Sequence, residues 1–399
     1  MLSCPLPPLS LYVHIPWCVR KCPYCDFNSH ESGQNLPEQD YVEALRLDMA
    51  TDIALAQGRP LQSIFFGGGT PSLFSGKAIG KIIDSAEQLF GFAPDIEITL
   101  EANPGTAEHG NFRDLRSAGV NRLSLGIQSF NDQHLQKLGR IHGSEEAMRA
   151  YDYARDAGFE NINLDLMHGL PNQTLEQAMA DLEQAFTMAP EHISWYQLTI
   201  EPNTVFYNRP PQLPVDDILA DIQDAGHAKL ATHGYSQYEV SAYASPGRQS
   251  RHNLNYWEFG DYLAAGAGAH GKITRSARGD IKRYRKTRLP NDYLNADKPF
   301  TAGQEVISSE NLPLEFLMNA LRLNSGFSQT LFEQRTGLPF STIASPINVL
   351  INEGFLRSDD VRIQTTNLGK RFLNNVLGRF QDSPTYTVPV HSAGIGQIS

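Results

Sequence analysis

The segment Leu9-Ser-Leu-Tyr-Val-His-Ile-Pro-Trp-Cys18-Val-Arg-Lys-Cys22-Pro-Tyr-Cys25 decides how the chain reads. A β-rich run, residues 9–16, passes directly into a loop that carries three of the four cysteines as CxxxCxxC. Thiols this close in a reducing compartment point to metal, not to disulfides. Three soft ligands on one loop suit a cubane iron–sulfur cluster with one iron left open, or a zinc site completed by His14 or His30. Cys4 reads as an ordinary thiol.

Working outward, further β-rich runs at 63–66, 97–100, 122–126, 161–166 and 192–200 alternate with helix-like stretches at 41–57, 78–90, 107–118, 144–157 and 175–188. Strand and helix in alternation predict a parallel sheet with helices packed on it. The strands end in polar or glycine-rich text: HIPWC, GGGTP, EANPG, GIQSF, LDLMHG and LTIEPN. In barrels of parallel strands that end carries the chemistry. Six repeats fall short of eight, so the expected α/β fold is a partial (β/α)6 barrel with an open mouth.

Pro202, Pro210, Pro211 and Pro214 mark 201–217 as a connector, and 216–233 reads as a closing helix. A smaller α+β domain is expected next. It comprises a strand-like 235–243, a Gly/Ala stretch at 264–271 and a basic segment at 275–288 with seven Lys/Arg against one acid. Helices at 314–323, 329–336 and 342–353, a hairpin at 356–366 and a final helix to 380 make its end winged-helix-like. The predicted division is residues 1–240, 241–380 and a mobile tail, 381–399.

The 399 residues are 41% hydrophobic and carry 33 basic against 44 acidic side chains, a net charge of −11. This excludes disordered, collagenous and disulfide-scaffold classes. No apolar run approaches the ~20 residues of a membrane span, and residues 1–10 lack the order of a secretion signal, so a cytoplasmic location is expected. Duplex binding demands phosphate-neutralising Lys and Arg. With seven basic and five acidic residues, 314–380 does not supply such a face, and no nucleic-acid partner is expected.

The CxxxCxxC loop after a first strand, with Tyr24 before the third cysteine, resembles the radical S-adenosylmethionine (SAM) superfamily, and the later motifs follow in order through the sixth strand. The resemblance implies a 4Fe-4S cluster on Cys18, Cys22 and Cys25 whose open iron chelates the amino and carboxylate groups of SAM. In that family an electron from the cluster splits the sulfonium to give a 5′-deoxyadenosyl radical. It further implies SAM contacts from Gly68, Gly69 and Thr70 in the GGGTP run, and from Glu101, Gln128, Arg140 and Asp165. Tyr12 would stand beside the cluster and Tyr24 against the adenine. The residue types suit these tasks: a carboxylate accepts from ribose hydroxyls, and an arginine grips a carboxylate bidentately.

Arg251-His252-Asn253-Leu254-Asn255-Tyr256-Trp257 holds HNxxYW, which resembles the signature of haem chaperones of the HemW type. That implies haem as ligand, with His252 as axial ligand and Asn253, Tyr256 and Trp257 around the porphyrin. His270 is a second ligand candidate, and Arg283, Arg285, Lys286 and Arg288 are candidates for the propionates. The implied activity is transfer of haem to acceptor proteins such as respiratory enzymes. It also implies a homodimer joined through the cluster region, membrane contact arising only through acceptors, and no catalytic residue. Two alternatives stand beside it. Oxygen-independent coproporphyrinogen III dehydrogenase has a fourth cysteine two residues after the third, where this chain has Phe27, and a longer N-terminal arm. A zinc-stabilised interaction protein would carry no iron.

Overall fold

The computed structural model describes residues 6–33, 36–106, 109–359 and 361–381. Cys4, the start of the helix expected at 107–118 and the tail beyond Gln381 lie outside them.

Six parallel strands stand side by side in chain order: β1 (Leu9–Ile15), β2 (Leu61–Gly68), β3 (Phe92–Ala102), β4 (Arg122–Gln128), β5 (Ile162–His168) and β6 (His192–Gln197). Between them run α1 (Glu38–Thr51), α2 (Gly76–Phe90), α3 (His109–Ser117), α4 (Ser144–Asp156) and α5 (Leu175–Met188), with α6 (Asp216–Thr232) following β6. Two of these helices, α2 and α5, begin where a side chain satisfies a free N–H group. Ser75 caps α2, and at α5 the Thr174 hydroxyl accepts from Gln177 N while the Gln177 side chain accepts from Thr174 N.

Alternation along β1 sorts its two faces. Leu9, Leu11, Val13 and Ile15 enter one apolar core with Tyr41, Leu45, Ile79 and Ile82 from the outer helices. Ser10, Tyr12 and His14 fall on the opposite, interior face. Other strands repeat the pattern with Thr99 and Glu101, Ser124, Asn163 and Asp165, and Ser194 and Tyr196. A barrel lined this way is built to hold polar matter.

The boundary expected near residue 240 passes through a continuous sheet. After β7 (Ser236–Gln237) and β8 (Ala242–Ala244), which lie antiparallel beside β6, the chain forms α7 (Arg251–Trp257) and returns to the other side of β1. There β9 (Asp261–Ala265) pairs parallel with β1, and β10 (His270–Arg275), β11 (Asp280–Lys286) and β12 (Thr301–Val306) add on antiparallel. The twelve-stranded order is β12-β11-β10-β9-β1-β2-β3-β4-β5-β6-β8-β7, an array that never closes. The basic segment at 275–288 is therefore mostly a sheet strand. It pairs with its neighbours β10 and β12, but the attachment of this extension to the barrel, through β9 and β1, joins residues about 250 apart and leaves no local sequence signal.

A second apolar core gathers Phe259 and Ile281 with residues from Ile307 to Leu377. It holds α8 (Leu312–Ala320), α9 (Gln329–Thr336), α10 (Ser341–Asn352) and the hairpin Leu356–Ser358 with Ile363–Thr365, the winged-helix-like end expected. No helix among the described residues is long and apolar enough to cross a membrane.

Candidate functional site

The cysteine loop crowns the C-terminal end of β1. Trp17–Cys18 pairs with His30–Glu31, closing the loop on itself, and the Cys25 N–H donates to Cys22 O. Asn28 anchors its far side, donating through Nδ2 to the carbonyls of Ala267 and Arg288 at 2.9 Å each. His14 anchors it from below. Its Nε2 donates to Asn28 O at 2.9 Å, so Nδ1 is left to accept from the Tyr12 hydroxyl at 3.0 Å. Burial holds this imidazole neutral, its pKa lowered to about 4.

Cys18 is buried and Cys22 and Cys25 half-buried. Burial raises the Cys18 thiol and pushes Cys25 up to about 11. Thiols so placed ionise only beside compensating positive charge. Arg140 supplies part of it, with Nη1 3.6 Å from Cys22 Sγ and Nη2 donating to Gly126 O at 2.7 Å. Its Nε is buried and without a partner among the described residues. Three soft sulfurs and an unspent guanidinium donor fit an iron–sulfur cluster with a carboxylated ligand beside it. Among the described residues no set of three or more His, Cys, Asp or Glu is grouped to hold a single metal ion.

The glycine run is shaped by close approach. A Cβ on Gly68, at φ +115°, would stand 2.5 Å from the His14 ring, and one on Gly69 would lie 2.4 Å from Trp17 O. The N–H groups of Gly69 and Thr70 donate to Ile15 O and Trp17 O. This run thus fixes β2 to the cysteine loop, and the Gly68 N–H donates to Glu101 Oε2 at 3.2 Å.

The rim continues with Gln128, whose Oε1 accepts from the Tyr196 hydroxyl at 2.7 Å. Tyr24 packs with Leu138, Met167, Tyr196 and Phe206 in a separate apolar cluster. The Leu138-Gly139-Arg140 turn holds the loop through Pro23, since a Cβ on Gly139, at φ +70°, would come 2.8 Å from its Cδ. Cys18, Cys22, Cys25, Gly68, Gly69, Thr70, Tyr12, Tyr24, Glu101, Gln128 and Arg140 therefore belong to the C-terminal end of the barrel and its interior. Asp165 lies deeper. It accepts from Ser124 Oγ and Asn163 Nδ2, and burial raises its pKa. Sequence reasoning missed Asn28 and Pro23, which position the loop, and read His14 only as a candidate zinc ligand, whereas its ring is spent on Tyr12 and Asn28.

HNxxYW lies at the opposite end. The Glu97 carboxylate, low in β3, accepts from the Arg251 and His252 N–H groups at 3.0 Å each, fastening the start of α7 into the barrel floor. His252 is 4% exposed. Its Nδ1 is hydrogen-bonded to Ser63 Oγ at 3.1 Å, and its ring stands 5.0 Å from that of Phe65. Burial lowers its pKa to about 3. Asn253 is buried, and Trp257 lies beneath the Arg322 guanidinium at 4.4 Å. Tyr256 alone of the four is partly exposed, its ring tilted 37° to that of Tyr262 with centroids 4.9 Å apart. The expected ligand His252 is thus buried in the barrel floor.

Residues 12–185 match the radical SAM superfamily and residues 307–372 the HemN C-terminal domain. The second segment coincides with the second apolar core. The chain is 51% identical over 379 residues to Heme chaperone HemW of Haemophilus influenzae, covering 94% of this chain and 98% of that protein. It is 51% identical over 375 residues to Heme chaperone HemW of Escherichia coli, again covering 94% and 98%. Among solved structures, coproporphyrinogen III oxidase (HemN) from Escherichia coli, a radical SAM enzyme, superposes with a TM-score of 0.80 at 25% identity, covering 96% of this chain and 92% of that one.

Proposed function

Because the chain belongs to the HemW family within the radical SAM superfamily, we propose that it is a haem chaperone that holds a 4Fe-4S cluster and SAM at the barrel mouth and passes haem to an acceptor protein. The observation that carries this reading is the gathering of the three cysteines, Arg140, Glu101, Gln128 and the glycine run at one end of a polar-lined barrel.

Cys18, Cys22 and Cys25 would hold the cluster, which supplies one-electron chemistry and an open iron when bound. Arg140, with its unpartnered Nε, would fix a carboxylate of SAM, and Glu101 would accept from a ribose hydroxyl or ammonium. Gly68 and Gly69 spend side-chain space on close packing, so their part falls to backbone carbonyls. Tyr12 is tied to His14 and would line the cavity beneath the cluster, while Tyr24 would present a flat apolar surface to the adenine. The α7 segment would help to form the haem region, with Tyr256 offering its partly exposed ring and His252 and Asn253 holding the helix in the floor. We further propose a cytoplasmic location, acceptors of the respiratory type and a homodimer joined near the cluster.

Phe27 stands where the dehydrogenase relative has its fourth cysteine, which favours the chaperone over oxidative decarboxylation. The test is to titrate haem into anaerobic, cluster-loaded protein and then to add an apo acceptor. A Soret band that moves to the acceptor is expected. Conversion of coproporphyrinogen III with SAM and reductant, without haem binding, would overturn the reading.

A further inference from the structure

The Gly/Ala stretch at 264–271 supplies the Ala267 carbonyl that holds Asn28, and its composition follows from that contact. It forms the end of β9 and the turn, residues 266–269, into β10. A Cβ on Gly266, at φ +104°, would lie 2.2 Å from His14 O, and one on Gly268, at φ +85°, would lie 2.2 Å from Asn28 Nδ2. Small residues here bring a backbone turn up against the cysteine loop.

Behind the turn lies a charged group that neither end of the barrel uses. Lys286, at the end of β11, is 1% exposed and donates through Nζ to Asp48 of α1 and, at 2.7 Å, to Oδ2 of Asp52 just after that helix. The other Asp48 oxygen, Oδ2, accepts from the Tyr293 hydroxyl at 2.6 Å and from the Gly266 N–H at 3.2 Å. Tyr41, two turns earlier on α1, accepts from the Ala267 N–H at 2.8 Å and donates to His14 O at 2.7 Å. Bonds from Lys286 N to Ala269 O and from Gly268 N to Thr287 O tie the turn to β11. These links are directional, so ammonium, turn and loop take up one arrangement together.

A buried ion pair adds little stability over apolar residues of the same shape, because desolvation offsets the attraction; it can instead select one arrangement of the segments it joins. The segments joined here end on Asn28, whose Nδ2 donates to Ala267 O and to the carbonyl of Arg288, two residues after Lys286. Gly266, Ala267, Lys286, Arg288 and Tyr293 all lie beyond the radical SAM match at 12–185. The loop's other fastening, Pro23 against Gly139, comes from within it.

We propose that Asp48 and Lys286 are positioning residues for the cysteine loop: the buried pair sets the turn at 266–269, the turn holds Asn28, and the sheet extension thereby governs how firmly the cluster is retained. The proposal rests on the cluster reading of Cys18, Cys22 and Cys25 and deepens it.

The experiment follows two rates on the full chain. One is iron loss from cluster-loaded protein to a ferrous chelator; the other is trypsin cleavage of metal-free protein after Arg20 and Lys21, both exposed on the loop. Lys286→Met and Asn28→Ala are each expected to raise both rates about fivefold, through local opening of the loop. Because the two act along one path, the double variant should be no faster than the faster single. Rates that multiply would overturn the proposal, as would single variants at wild-type rates. The urea midpoint of the metal-free chain separates holding from stability: a midpoint that falls while loop cleavage stays slow would also overturn it. Asp48→Asn keeps the shape and removes the charge, which covers a failure of Lys286→Met to fold. It should raise both rates about twofold, and add nothing to Asn28→Ala. The trypsin readout needs no iron. A zinc-bearing wild type would therefore overturn the cluster reading, while faster loop cleavage in the variants would still support the hold.

Discussion

The two ends of the barrel are lined with similar polar residues but put them to opposite use. At the floor many groups answer one another: Glu97 accepts from the start of α7, Ser63 joins His252 to Ser10, and His192 spans Asn163 and Tyr238, while buried Arg122 keeps Nε and Nη1 without a partner among the described residues. At the mouth, thiols stand half-buried, Arg140 keeps an unpartnered nitrogen, and the loop is held at its margins by Asn28, His14 and Pro23. A densely paired polar layer stabilises one packing, whereas three thiols grouped beside a guanidinium suit a ligand.

Breaking the mouth should give the largest effect on composition and the smallest on fold. Cys22→Ser is expected to abolish iron and sulfide while circular dichroism and the unfolding midpoint of the metal-free protein stay at wild-type values, because the ligand sits on a loop. A collapse of the metal-free fold would show that the loop is part of the floor's cooperative unit.

Breaking the floor should do the reverse. Glu97→Ala strands the Arg251 and His252 N–H groups in a buried setting, and a loss of about 3 kcal/mol in urea unfolding is expected. Iron content should persist. If the variant loses iron but not stability, the division between the ends is wrong.

The floor also has a pH signature. An unfolded histidine takes up its proton near pH 6.5, whereas folded His252 does so only near 3. Below pH 6.5 the unfolded chain binds more protons at this site, so the contribution of neutral His252 is full above that pH and is lost as pH falls. The stability deficit of His252→Gln measured at pH 8 should therefore shrink by up to about 2 kcal/mol at pH 5. A deficit independent of pH would mean that the ring takes up its proton at the same pH in the fold as in the unfolded chain.

The smallest effect sharpens the margin of the mouth. Gly139→Ala introduces a Cβ against Pro23 at a positive φ and should cost about 1–2 kcal/mol, with cluster occupancy lowered and not abolished. Iron content and a thermal scan check both.

The mouth was far more legible in the sequence than the floor. CxxxCxxC, the glycine run and the residues at strand ends are local text, and local text also placed α5, whose capping Thr174 and Gln177 mark its start. Strand ends drifted where context overrides propensity: β3 starts at Phe92 and passes through Pro94 and Asp95, ahead of the β-rich run expected at 97–100. The position of α7 depends on a Glu97 contact from a distant strand. The sheet extension β9–β12 likewise arises from pairing with β1, which no periodicity encodes. The same non-local packing buries His252 against Ser63 and Phe65, which the sequence pattern could not show.

The account depends first on what the three cysteines hold. Iron, acid-labile sulfide and zinc should be measured on anaerobically purified protein. Roughly four iron and four sulfide per chain, without zinc, is the predicted result; a colourless protein with one zinc and no sulfide would contradict it.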